Sequence, residues 1–197
     1  MALGFINLSC PGCGARIAME TKICEFCDGP ILISTFKSVA GMGMPDVNKY
    51  VNAYRKALAE NPDNLQLNTS IAMCFLRMKM YDKALQAFEK AMPDNFDNSE
   101  VFFYAAVCLL QGKKAFLHSR PVIDRVQEYI NAALMIEPRG IYYYFLAYIK
   151  NDYFSRKYLN TSPTWQESLS QAKAIGLPAM DVDQLYESLG AERPESL

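Results

Sequence analysis

Six cysteines carry most of the reactive chemistry in this 197-residue chain, beside a single histidine. Four of them form two pairs, Cys10-Pro-Gly-Cys13 and Cys24-Glu-Phe-Cys27, with ten residues between the pairs. In a CxxC pair one tight turn can present both sulfurs and aim backbone N–H groups at them. Two such turns supply four thiolates in a tetrahedron around Zn2+. Gly12, Gly14 and Gly29 suit those turns, because glycine reaches positive φ without steric penalty. The spacer is shorter than the usual range for paired CxxC sites, and it fits two small knuckles joined by a hairpin. Four cysteines leave no open coordination position, so the expected metal is one structural zinc ion rather than a catalytic one. Iron in the same four-thiolate cage is one alternative. A redox dithiol is the other, and it wants a βαβ context that the sequence lacks.

The remaining candidates for chemistry read as structural. Cys74 and Cys108 are 34 residues apart, a periodicity that suits core-packing thiols acting as small hydrophobes. His118 has Lys113, Lys114 and Arg120 near it in sequence, but no nucleophile or orienting partner. No phosphate loop, Ser/His/Asp set, paired acidic dyad or zinc-hydrolase motif occurs, and Gly41-Met-Gly43 lacks the strand-then-helix frame of a phosphate cradle. The expectation is therefore a protein that is not an enzyme.

The segment around 8–33 resembles the zinc-ribbon family, with Cys10-Pro-Gly-Cys13-Gly14 as the most specific part. The second knuckle departs from that pattern, with Asp28 where glycine is usual and Gly29 one place later. Phe5, Ile6, Leu8, Ile17 and residues 31–33 read as short strands. A module this small buries too little surface to fold alone. Metal binding supplies the missing free energy, on the order of 10–16 kcal/mol in zinc-finger peptides.

The elements beyond the cysteines are helical. The clearest unit spans 65–98, with Ile71, Ala72 and Phe75 on a first helix and Ala84, Phe88 and Ala91 on a second. Small residues at 72 and 84 let the helices approach, and the two phenylalanines fill the space between them. This pattern resembles a tetratricopeptide repeat. Upstream, Tyr50, Tyr54, Ala57 and Pro62 match the second half of another repeat, ended at Asn61-Pro62-Asp63-Asn64. Downstream, Phe102, Ala105, Ala106 and Leu109 match a first helix, with Asp97 and Glu100 as a capping box. Val126, Ile130, Ala133 and Pro138 match its second helix, after an insertion around 112–121. A degenerate fourth pair spans 141–153 and then Trp165, Leu169 and Ala172, with Ser162 as cap and Pro163 at the first position. A last helix over 182–189, opened by Asp181 and stopped by Gly190, is expected to cap the open end.

The fold class expected is thus mostly α: a tetratricopeptide-like α-α superhelical solenoid with a small N-terminal four-cysteine β module. The boundaries are 1–36 for the ribbon, 37–45 for a linker rich in Gly, Ser and Pro, and 46–197 for the repeats and capping helix. The resemblance implies a concave face lined by the first helix of each repeat. Carried onto this chain, the facing positions are Gln66, Thr69, Met73 and Arg77, then Glu100, Phe103, Val107 and Gln111, then Tyr144 and Tyr148. That face is more apolar than charged, so an apolar or aromatic anchor on a partner suits it better than a grip on a peptide carboxylate.

Composition limits the functions that remain. Net charge is −1 with 21% charged residues, a globular balance without the basic excess that nucleic-acid affinity requires. The first 36 residues set Arg16 and Lys22 against Glu20, Glu25 and Asp28, so the ribbon is not basic either. No secretory pattern and no stretch of about 20 apolar residues occurs. A cytoplasmic protein is expected, where reduced thiols bind metal rather than pair as disulfides. The reading is a non-enzymatic adaptor or scaffold that holds another protein's peptide or helix in its groove. A zinc-ribbon factor associated with nucleic acid and a thiol redox protein are the alternatives, and self-association could imitate any of them.

Overall fold

A computed structural model describes residues 9–17, 21–93 and 97–197. The chain divides into two compact units, Met1–Asn95 and Phe96–Leu197. Among the described residues the protein is mostly helical and holds no strand, in keeping with the repeat class expected. The strands expected at Ile17 and 31–33 are absent. Two isolated antiparallel bridges, Ser9 with Arg16 and Ile23 with Pro30, stand in their place. Each knuckle closes on itself after a few residues, which leaves no length for a ladder. Phe5, Ile6 and Leu8 lie outside the described residues.

In the first unit the knuckles lead into α1 (Lys37–Ala40), α2 (Met44–Glu60), α3 (Leu65–Arg77) and α4 (Tyr81–Ala91). The segment expected as a linker, 37–45, therefore carries a helical turn and the start of α2. Phe36 and Val39 are buried, and α1 packs against α3. Asn64 caps α3, its Oδ1 accepting from the Leu67 N–H at 2.9 Å, which satisfies one of the free N–H groups of the first turn. Along α4, Ala84, Ala87, Phe88 and Ala91 are buried at helical spacing, while Asp82, Lys83, Gln86 and Lys90 face water. Ala72 and Ala84 are fully buried in the α3–α4 hairpin, as small residues at a close helix approach must be.

The second unit holds α5 (Ser99–Leu109), α6 (Arg120–Ile136), α7 (Gly140–Ile149), α8 (Trp165–Ile175) and α9 (Ala179–Leu189). α5 pairs with α6 and α7 with α8. The cap of α5 is Asn98 rather than Asp97, its Oδ1 accepting from the Glu100 N–H at 3.2 Å. The cap of α8 is Thr164 rather than Ser162. Its hydroxyl accepts from the Glu167 N–H, and the Glu167 carboxylate accepts from the Thr164 N–H. A glutamate three residues on makes Thr164 the better cap, since it completes a reciprocal box.

α7 runs on as a π turn over Lys150–Phe154 and a short 3-10 turn. The insertion at 112–121 is pinned against that extension. The Phe116 N–H donates to Asp152 Oδ2 at 2.9 Å, and Arg156 lies over the Phe116 ring at 4.3 Å. At the start of α7, a Cβ added to Gly140 would overlap the Gly176 carbonyl oxygen and lie 2.8 Å from that of Ala172. Only glycine lets the end of α8 come this close.

Gly190 ends α9 in the left-handed region at φ 64, as expected. α9 starts at Ala179, three residues before the expected position, and it packs against both α5 and α7. Its buried residues, Val182, Leu185, Tyr186, Ser188 and Leu189, thus face the first helices of two successive pairs.

Candidate metal centre and partner surface

The two knuckles share one hydrogen-bond pattern. The Cys10 N–H donates to the Ala15 carbonyl at 2.8 Å and the Gly14 N–H to the Cys10 carbonyl at 2.8 Å. The Cys24 N–H donates to the Gly29 carbonyl at 2.9 Å and the Asp28 N–H to the Cys24 carbonyl at 2.9 Å. Asp28 thus holds the place of Gly14, and both are left-handed, at φ 54 and 77. Aspartate is among the few residues that tolerate this region, so the second turn survives without a glycine there.

This geometry gathers the four sulfurs. Cys10 and Cys27 Sγ are 3.6 Å apart, as are Cys13 and Cys24 Sγ, and all four lie within 4.8 Å of one another. A disulfide would bring a pair to about 2.05 Å, so these are free thiols. A regular tetrahedron with metal–sulfur bonds of about 2.3 Å has edges of about 3.8 Å. The four cysteines could hold a metal ion.

The clustered thiols perturb one another's titration. The Phe26 N–H, aimed at Cys24, is the largest cause that lowers that thiol to about 7. Burial raises Cys10. At Cys27 the Gly29 N–H pulls down, but the Cys10 thiol and burial outweigh it and the group is pushed up to about 12. Four sulfurs this close cannot all be anionic without a cation among them.

Helix residues that sequence reasoning assigned only to the repeat turn out to hold the cysteine module. Cys10, Cys24 and Ile31 form a small buried core. Tyr54, with no exposed surface, donates its hydroxyl to the Ile31 carbonyl at 3.0 Å. The Ile33 N–H donates to Ser70 Oγ on α3 at 2.9 Å. Tyr50 sets its hydroxyl against both knuckles. A Cβ on Gly29 would lie 2.6 Å from that oxygen, and one on Gly12 3.5 Å. The glycines therefore admit Tyr50 as well as shaping the turns. The signal in the sequence was the pair Tyr50 and Tyr54, one helical turn apart on a buried face.

A tetratricopeptide repeat family model matches residues 51–111. Curated proteins, compared with the whole chain, give no match. The matched stretch runs from within α2 to just past α5, so it begins inside the half-repeat inferred from Tyr54, Ala57 and Pro62. Among the described residues, no helix is long and apolar enough to cross a membrane.

The positions carried over as a concave face are mostly covered. Gln66 and Gln111 are exposed and Arg77 is half-buried, donating to the Met42 carbonyl at 3.4 Å. Thr69, Met73, Phe103, Val107, Tyr144 and Tyr148 are buried and present no free surface. Phe103 packs on Tyr142 and Phe145, at ring distances of 4.6 and 5.6 Å. Tyr144 and Tyr148 each meet the edge of the Tyr186 ring, at 6.2 and 5.9 Å. At Phe103, Tyr144 and Tyr148 the chain's own aromatic rings cover what was expected to stand open. Cys74 and Cys108 are buried and far from any ligand partner in sequence, and burial pushes Cys74 up to about 12. His118 Nε2 donates to the Leu110 carbonyl at 3.0 Å, a loop-anchoring bond.

Proposed function

We propose that the protein is a non-enzymatic adaptor whose repeats bind another protein and whose Cys10, Cys13, Cys24 and Cys27 hold one structural zinc ion. The observation that supports this best is the docking of the four-thiol cluster on α2 and α3, inside the region where the repeat match begins. A soft four-sulfur donor set gathered within 4.8 Å suits zinc and leaves no position for a substrate. When bound, the ion supplies a rigid cross-link and neutralises the thiolates. The protein's own residues do the rest: Tyr50, Tyr54 and Ser70 join that cross-link to the helices. A reducing compartment such as the cytoplasm suits such thiols.

Two measurements test this. Elemental analysis of protein purified without tags or chelators is expected to find one zinc per chain, and iron or no metal would refute the assignment. Affinity capture from the native cell with mass spectrometry is expected to return a stoichiometric protein partner. Recovery of the chain alone, or of nucleic acid surviving high-salt washes, would overturn the adaptor reading.

A further inference from the structure

α9 is bound to the second unit much as a ligand helix would be. One face of it is buried: Val182, Leu185, Tyr186 and Leu189, at i, i+3, i+4 and i+7. The opposite face carries Asp183 and Glu187 and exposes Met180. The buried face rests on α5 and α7, the first helices of two successive pairs. Its anchor is Tyr186, set edge-on to Tyr144 and Tyr148, with its hydroxyl 3.2 Å from that of Tyr144. Beyond the helix, the Arg193 guanidinium lies over the Tyr144 ring at 5.9 Å.

The covalent link is short. Only residues 176–178 join α9 to α8, and they begin with Gly176 at φ 117, a conformation that side chains resist. The helix has 11 residues, below the length at which an isolated helix holds in water. It is therefore folded by the surface it covers. An amphipathic helix laid into an apolar groove on anchors at i, i+3, i+4 and i+7 is a recurring mode of peptide recognition. Here the chain satisfies that mode in cis.

We propose that the α5–α7 surface is a helix-binding groove occupied by α9, and that α9 yields to a partner helix of the same chemistry. The partner is an amphipathic helix of another protein with an aliphatic-x-x-aliphatic-aromatic-x-x-aliphatic face. This rests on the adaptor reading and names the kind of occupant. The short tether gives α9 an effective concentration in the millimolar range. A partner in trans competes against that, so the closed form suppresses weak or accidental ligands.

The test uses the full chain and a fluorescent peptide of residues 177–191 as probe. The double variant Leu185→Asp, Tyr186→Ala removes the cis anchors. Fluorescence anisotropy is expected to show it binding the peptide at least tenfold more tightly than the wild type. Hydrogen exchange on the wild type guards against a variant that merely unfolds: α9 amides are expected to exchange through local opening, well before those of α7. The proposal is overturned if α9 and α7 exchange together, or if neither form binds the peptide. Peptide binding without any captured partner would refute the adaptor reading alone. A captured partner without peptide binding would refute this groove alone.

Discussion

Replacing Tyr54 by phenylalanine removes one oxygen atom and asks whether the metal centre and the helices are one energetic unit. The hydroxyl donates to the Ile31 carbonyl at 3.0 Å from a side chain with no exposed surface. The ring remains, so packing changes little. A buried carbonyl left without its donor costs about 1–3 kcal/mol. Ile31 shares its core with Cys10 and Cys24, so the bond exists only while the cysteine module is folded. A module this small does not hold its shape without metal, and metal binding is its folding free energy. The whole penalty then falls on the metal-loaded state. At about 1.4 kcal/mol per tenfold, the apparent zinc dissociation constant rises roughly 5- to 140-fold. Competition against a chromophoric chelator at fixed pH measures this, with Tyr158→Phe as a control on an exposed ring. An affinity unchanged within twofold, together with a lowered urea midpoint, would refute the coupling. The hydroxyl would then serve the helices alone.

Two further outcomes follow from the second unit. Gly140→Ala forces a methyl group against the Ala172 and Gly176 carbonyls, which are backbone and cannot swing away. Overpacking of this kind costs about 1–3 kcal/mol, to be read as an earlier urea transition of Trp165, the single tryptophan, which begins α8. Burial, aided by the charge of Lys113, holds His118 below its ordinary value, although the bond to the Leu110 carbonyl opposes this. The folded protein favours the neutral ring, so this contribution is complete above about pH 6.5 and is lost as pH falls through the lower folded value. Denaturation at pH 7.5 and 5.5 is expected to show a loss on acidification that His118→Gln reduces.

Some features were legible because they obey short-range rules. A CxxC spacing brings two sulfurs to one turn whatever surrounds it, so the four cysteines could be named from sequence, and the structure gathers them within 4.8 Å. Helical periodicity of small and aromatic residues likewise showed the α3–α4 hairpin, with Ala72, Ala84 and Phe88 buried as expected. The stop at Gly190 and the break at Pro62 are equally local. Caps were less legible, since Asp97 and Asn98, or Ser162 and Thr164, are adjacent residues of similar chemistry, and the choice depends on where the backbone turns.

What only the tertiary structure decided is which surface covers which. An apolar stripe states that a face is buried and says nothing of its partner. Tyr50 and Tyr54 carried the right pattern for a repeat helix, yet their hydroxyls reach knuckles about 20 to 40 residues earlier in the chain. Tyr144 and Tyr148 carried the right pattern for a groove, yet Tyr186 fills the space before them. Gly140 meets the end of α8, a contact that no local pattern announces. These contacts join elements distant in sequence, and each depends on shape complementarity across a packed interior that local spacing does not encode. The cysteines and helices were written in the sequence; the covering of the helix faces by the chain's own segments was decided by packing.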